Sequence, residues 1–147
     1  MTNQHSLGVA KDLRFSDIHL GMSASFFVMI DADMVRCFAM ISGDFNPLHT
    51  DAEYARSVGH PGPVVFGMLT ASFYSRLVGM FLPGKYALLQ QIEVGYTLPV
   101  YVGDQLMVEG EVVDLHESVR QVEIRARILN QSLERVSRAK INIGMYA

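Results

Sequence analysis

The sequence predicts an α+β domain in which a curved antiparallel sheet wraps around one long central helix. Three features carry that prediction. An early stretch alternates with the two-residue period of a strand, residues 67–79 form a nearly chargeless helical run, and four later alternating runs are joined by short connections. A chain of 147 residues supports one well-buried core and is too short for two ordinary domains, so one is expected at 18–147 behind an arm at 1–17.

The arm has no period and reads as loose. From Ile18, the residues Leu20, Met22, Ala24, Phe26, Val28 and Ile30 alternate with Gly21, Ser23, Ser25, Phe27 and Met29, giving a first strand with one strongly apolar face. Asp31 can cap a helix in which Met34, Val35, Phe38 and Ile41 fall at helical spacing, and Gly43 supplies its stop. Thr50-Asp51-Ala52-Glu53 fits a capping box, so a short helix is expected just past His49, ending near Gly59. His60-Pro61-Gly62-Pro63 cannot continue it, because proline lacks a donor and forces its predecessor extended.

The run 67–79 is apolar nearly all round, and Ala71, Ser72, Ser75 and Gly79 form a small-residue stripe that admits close approach of another layer. This helix is expected to be wrapped. Strands are predicted at 86–98, 105–115, 119–129 and 134–145. Val122, Ile124, Ala126 and Ile128 oppose Glu123, Arg125 and Arg127, while Ala139, Ile141, Ile143 and Met145 oppose Arg138, Lys140 and Asn142, so one sheet face is wet. The open edge of such a sheet predicts a homodimer formed edge to edge.

Half of the residues are apolar and 18% are charged, a surplus that implies a large self-interface or an apolar ligand tunnel. A net charge of -3 with no Lys/Arg cluster argues against nucleic acid as a partner. The single Cys37 excludes an internal disulfide and residues 1–11 lack an apolar signal core, so the expected compartment is the cytoplasm. Cys37 lies on an apolar helical pattern without an adjacent base and reads as a buried structural thiol. Pro61, Pro63 and Pro83 flank the apolar run 64–82, and Ser72, Ser75 and Arg76 interrupt it, which favours a buried helix over a membrane span. His5, His19, His60 and His116 are scattered, so no metal is expected.

The functional signal concentrates in Ser42-Gly43-Asp44-Phe45-Asn46-Pro47-Leu48-His49. Pro47 restricts Asn46 to extended geometry and Asn46 can bond nearby backbone, which makes a stiff corner able to aim Asp44 and His49 at one point. Spacing alone favours a plainer reading, with Asp44 capping a turn and His49 packed against the next helix. Desolvation shifts the balance: Phe45, Leu48 and the run 64–68 would strip water from both groups unless they pair, and such pairs are commonly acid/base devices. Gly67 opens the apolar helix, where free N–H groups can hold a developing oxyanion; a tight turn or close packing would equally require glycine.

These residues, followed by Pro63-Val64-Val65-Phe66-Gly67-Met68-Leu69 and by Leu98-Pro99-Val100-Tyr101-Val102-Gly103-Asp104, resemble the MaoC-like (R)-specific enoyl-CoA hydratases over nearly the whole chain past Ile18. The resemblance implies the hot dog fold. It also implies that Asp44 and His49 are the catalytic pair acting on a water, that Asn46 braces the loop, and that the Gly67 N–H polarises a thioester carbonyl. Ser75 matches a small pocket residue of the family and reads equally well as a helix-packing serine. The implied activity is hydration of trans-2-enoyl thioesters of coenzyme A or acyl carrier protein, or the reverse dehydration, without metal or bound cofactor. Many members carry histidine where this chain has Phe66, a departure that removes a hydrogen bond and implies an altered pocket. A hot dog thioesterase and a non-catalytic thioester-binding subunit are the alternatives.

Overall fold

The computed structural model describes residues 8–147. Five strands form one antiparallel sheet: β1 (Ser23–Met29), β2 (Ala87–Tyr96), β3 (Gln105–His116), β4 (Gln121–Leu129) and β5 (Arg135–Met145). Their spatial order is β1-β3-β4-β5-β2, so β1 and β2 occupy opposite edges. Between them in sequence come α1 (Ala32–Ser42), α2 (Pro47–Thr50), α3 (Ala52–Ser57) and α4 (Gly67–Arg76), the last prolonged by a wider π turn at Leu77–Phe81.

The alternation in β4 and β5 sorts side chains as the sequence predicts. Val122, Ile124, Ile128, Ile141 and Ile143 are completely buried, whereas Arg125, Arg127, Arg138 and Lys140 are exposed on the other face. The buried set meets Leu69, Phe73, Leu77 and Val78 of the central helix in one core. Gly110 lets the helix sit close, since a Cβ there would lie 2.7 Å from Leu77 Cδ2. Asp31 caps α1 through Met34 N–H, and Gly43, at φ 72°, ends it in the left-handed conformation.

Four expectations are corrected. Residues 8–17 are not loose: Lys11 N–H donates to Met80 O, Phe15 N–H donates to Ala147 O, and Asp12 bridges to Gly84; residues 1–7 of the predicted arm lie outside the described residues. The cap of α3 is Asp51 rather than Thr50, its carboxylate accepting from Glu53 and Tyr54 N–H. Thr50 instead turns back, donating to the carbonyls of Phe45 and Asn46, because Pro47 starts an extra helical turn there. Cys37 is exposed, since α1 fully buries only Ala39. The sheet covers just one side of α4, leaving Ser72 and Ser75 of the small-residue stripe exposed and Ala71 and Gly79 half-buried.

One polar pair lies inside this core. Tyr74 and Ser137 are both fully buried and their hydroxyls are 2.7 Å apart. Burial pushes the Tyr74 phenol up from 10.0 to about 12. Its neutral form is therefore favoured in the fold, so this contribution is intact below pH 10 and is lost as pH rises towards 12. The loss is on the order of 3 kcal/mol. Tyr74→Phe is expected to lower stability by about 1–3 kcal/mol at neutral pH, by stranding the Ser137 hydroxyl. It should also flatten the decline between pH 10 and 12. Urea unfolding at pH 7, 10 and 11 checks both effects.

Candidate active site

The segment joining α1 to α2 is built from a relay of side-chain-to-backbone bonds. Ser42 Oγ accepts from Asp44 N–H at 3.2 Å, Asp44 Oδ1 from Asn46 N–H at 3.0 Å, and Asn46 Oδ1 from Leu48 N–H at 2.9 Å. Each is a local turn of the kind that short polar side chains favour. Asn46 is the cap of α2, with ψ 131° ahead of Pro47 at the first helical position, the extended geometry that a following proline demands. Asp44 thus does cap a turn. Only one of its oxygens is used, however, and Oδ2 has no partner among the described residues.

His49 is half-buried in the short helix that follows. Its Nδ1 lies 2.5 Å from Val64 O. A carbonyl can only accept, so Nδ1 is the donor here, and in the neutral ring the lone pair falls on Nε2. The same Val64 donates its N–H to Leu48 O at 3.0 Å. The imidazole lies against Phe66 at a tilt of 31°, ring centroids 4.1 Å apart, and Phe66 packs in turn on Phe38 at 5.0 Å. Where a histidine would offer a hydrogen bond, this chain supplies a buried aromatic plate behind the imidazole.

Three residues past Val64 the central helix begins. No side chain caps α4, and the N–H groups of Gly67 and Met68 have no partner among the described residues. A cavity of about 350 Å³ opens at this end, with His49, Gly67, Thr70, Tyr96, Pro99 and Val136 among its walls. His49 and Gly67 are therefore brought together. Phe66 is not part of the wall, so its effect on the cavity passes through the ring it supports. Ser75 is exposed two turns further along α4 and does not reach this cavity. Asp44 stands outside the lining as well and is exposed beside Phe45, which is 58% exposed. The expected desolvation of both acid/base candidates is thus met at His49 only, because nothing among the described residues covers the α1–α2 corner.

Tyr96 escaped the sequence reading. A Cβ on Gly67 would lie 2.9 Å from Tyr96 Cε1 and 3.0 Å from Cζ, so the ring occupies the place of a side chain at 67. Glycine is needed there for close approach, the plainer of its two readings. Nothing in the local sequence separates Tyr96 from other strand aromatics. Its role comes from the return of β2 to the start of α4.

Fold and site together define the chain as a hot dog domain carrying an aspartate and a histidine on the approach to its central helix. Residues 16–132 match the family model of the MaoC like domain, and the chain belongs to that family. Over 114 residues it is 38% identical to an (R)-specific enoyl-CoA hydratase of Aeromonas caviae, covering 78% of this chain and 85% of that one. It is 37% identical over 90 residues to a mitochondrial 3-hydroxyacyl-acyl-carrier-protein dehydratase of Solanum lycopersicum, spanning 61% of this chain and 51% of the plant protein. The solved structure of an unliganded R-hydratase from Pseudomonas aeruginosa matches with a TM-score of 0.86 at 28% identity, over 92% of this chain and 87% of that one. No helix among the described residues is long and apolar enough to cross a membrane.

Proposed function

We propose that this protein is an enoyl thioester hydratase that adds water across trans-2-enoyl thioesters to give (R)-3-hydroxyacyl thioesters, or runs the reverse dehydration. The observation that carries the proposal is the Val64 carbonyl on His49 Nδ1, which in the neutral ring makes Nε2 the basic nitrogen of a residue lining the cavity at the α4 N-terminus. In the addition, Asp44 Oδ2 holds the water and His49 Nε2 takes its proton as the oxygen bonds to C3. The electron pair moves through C2 onto the thioester oxygen, where the Gly67 N–H and the positive helix end stabilise the enolate. Return of the proton to C2 completes the reaction, with no redox change and no metal in any step.

The relatives' names support coenzyme A or acyl carrier protein as the thioester carrier. The free Cys37 thiol suits a reducing compartment, and the cytoplasm is the compartment proposed. The experiment is loss of enoyl absorbance from crotonyl and octenoyl thioesters, with thiol release followed in parallel. Loss of the double bond without free thiol is expected; thiol release without hydration would make the protein a thioesterase, and neither event would make it a binding subunit.

The active unit is proposed to be a homodimer. Leu88, Leu89 and Ile92 are exposed on edge strand β2, whose outer side has no neighbour among the described strands, and Met40, Ile41 and Phe45 are exposed near the uncovered Asp44 corner. A second copy paired along β2 and packed on the bare stripe of α4 would cover these surfaces. Sedimentation at micromolar concentration should give twice the chain mass of 16.4 kDa; a clean monomer overturns the dimer.

A further inference from the structure

We infer that Tyr96 sets the size of acyl group this protein accepts, its ring serving as a movable wall of the cavity seated on Gly67. The inference rests on the thioester reading above and adds a residue to it. Tyr96 ends strand β2 and pairs in register with Ser137 of β5. Ser137 turns its hydroxyl to Tyr74 of the central helix, so the side chain of Tyr96 leaves the sheet on the helix side too. There its ring edge fills the space a residue-67 side chain would take.

The walls differ in how firmly they are held. Val65, Thr70, Val100 and Val136 are locked in the core, each 5% exposed or less. Tyr96 is 48% exposed, and among the described residues its hydroxyl bonds only to Met68 Sδ, at 3.8 Å, a weak acceptor on a side chain that is itself exposed. Burial of the ring raises the phenol above its ordinary pKa, so an uncharged ring faces the cavity. Glycine at 67 has no side chain to stop the ring from closing down on the helix start. The resulting volume of about 350 Å³ is near the lower end of small-molecule sites, which suits a short acyl group. Truncating Tyr96 joins the ring's volume to the cavity without touching His49 or its Val64 tether.

The test compares wild type with Tyr96→Ala, Tyr96→Val and Tyr96→Phe by two readings. One is the ratio of kcat/KM for octenoyl over crotonyl thioester; the other is the ratio of affinities for the saturated octanoyl and butyryl thioesters, which needs no turnover. Tyr96→Ala should raise both ratios about tenfold or more, because single methylenes in a fitted pocket already discriminate by such factors. Tyr96→Val, which keeps strand propensity, should raise them in the same direction and serves if the alanine variant fails to fold. Tyr96→Phe should hold the wild-type ratios within about twofold. Unchanged ratios in the alanine and valine variants, or an equal shift in the phenylalanine variant, overturn the inference. Should wild type hydrate neither enoyl thioester, the hydratase reading falls while the affinity ratios still judge Tyr96; failure to bind either saturated thioester overturns both.

Discussion

His49→Ala is expected to lower kcat/KM for crotonyl thioester by about 10²–10⁴-fold, the usual contribution of a positioned general base, and Asp44→Asn should give a loss of similar order. The asparagine variant is the more informative of the two. Asp44 Oδ1 accepts a backbone bond from Asn46 N–H, and an asparagine oxygen can accept it equally well. The corner therefore keeps its shape while the negative charge disappears. His49→Ala, by contrast, also removes the bond to Val64 O and the ring contact with Phe66, so part of its effect is structural. The double variant should be scarcely slower than either single one, because the proposed scheme has the two residues act on one water. Undiminished turnover by Asp44→Asn, measured as loss of enoyl absorbance, ends the two-residue scheme.

The second large effect concerns the helix end. Gly67→Pro removes the N–H assigned to the thioester oxygen, yet proline suits the first position of a helix, and Phe66 at φ -54°, ψ 128° already has the geometry that precedes a proline. Gly67→Ala keeps the N–H. Both introduce a Cβ against Tyr96, so the comparison belongs in a Tyr96→Ala background where that clash is gone. There the proline variant is expected to lose a further 10²–10³ in kcat, roughly what one oxyanion donor supplies. Thioester affinity should change little. Equal kcat in the two variants would leave Gly67 with a packing role alone.

The elements that sequence specifies locally were the legible ones. Asp31 and Gly43 bracket α1 where it runs, and the alternations of β4 and β5 sort their side chains correctly, because caps and strand faces depend on near neighbours. The corner at Asn46-Pro47 was legible for the same reason. Thr50 misled because two adjacent residues could each cap α3, and the extra turn at α2 decided for Asp51. Cys37 and the stripe of α4 misled differently: periodicity says which residues share a face, not whether this chain or another copy covers it. The Val64 tether on His49 and the Tyr96 ring on Gly67 join residues far apart in sequence through a backbone atom or an absent side chain. No spacing rule reaches either.

The tether separates two kinds of change in this chain. His49 hangs from Val64, and Gly67 follows Val64 by three residues, so the proposed base and the proposed oxyanion donor are mounted on a single short piece of chain. The wall proposed to meet the acyl group arrives separately, on edge strand β2. On the proposed roles, exchanges at Tyr96 retune substrate range while the spacing between base and oxyanion donor stays unchanged, and their effects should add to those of changes elsewhere in the sheet that share no contact with Tyr96.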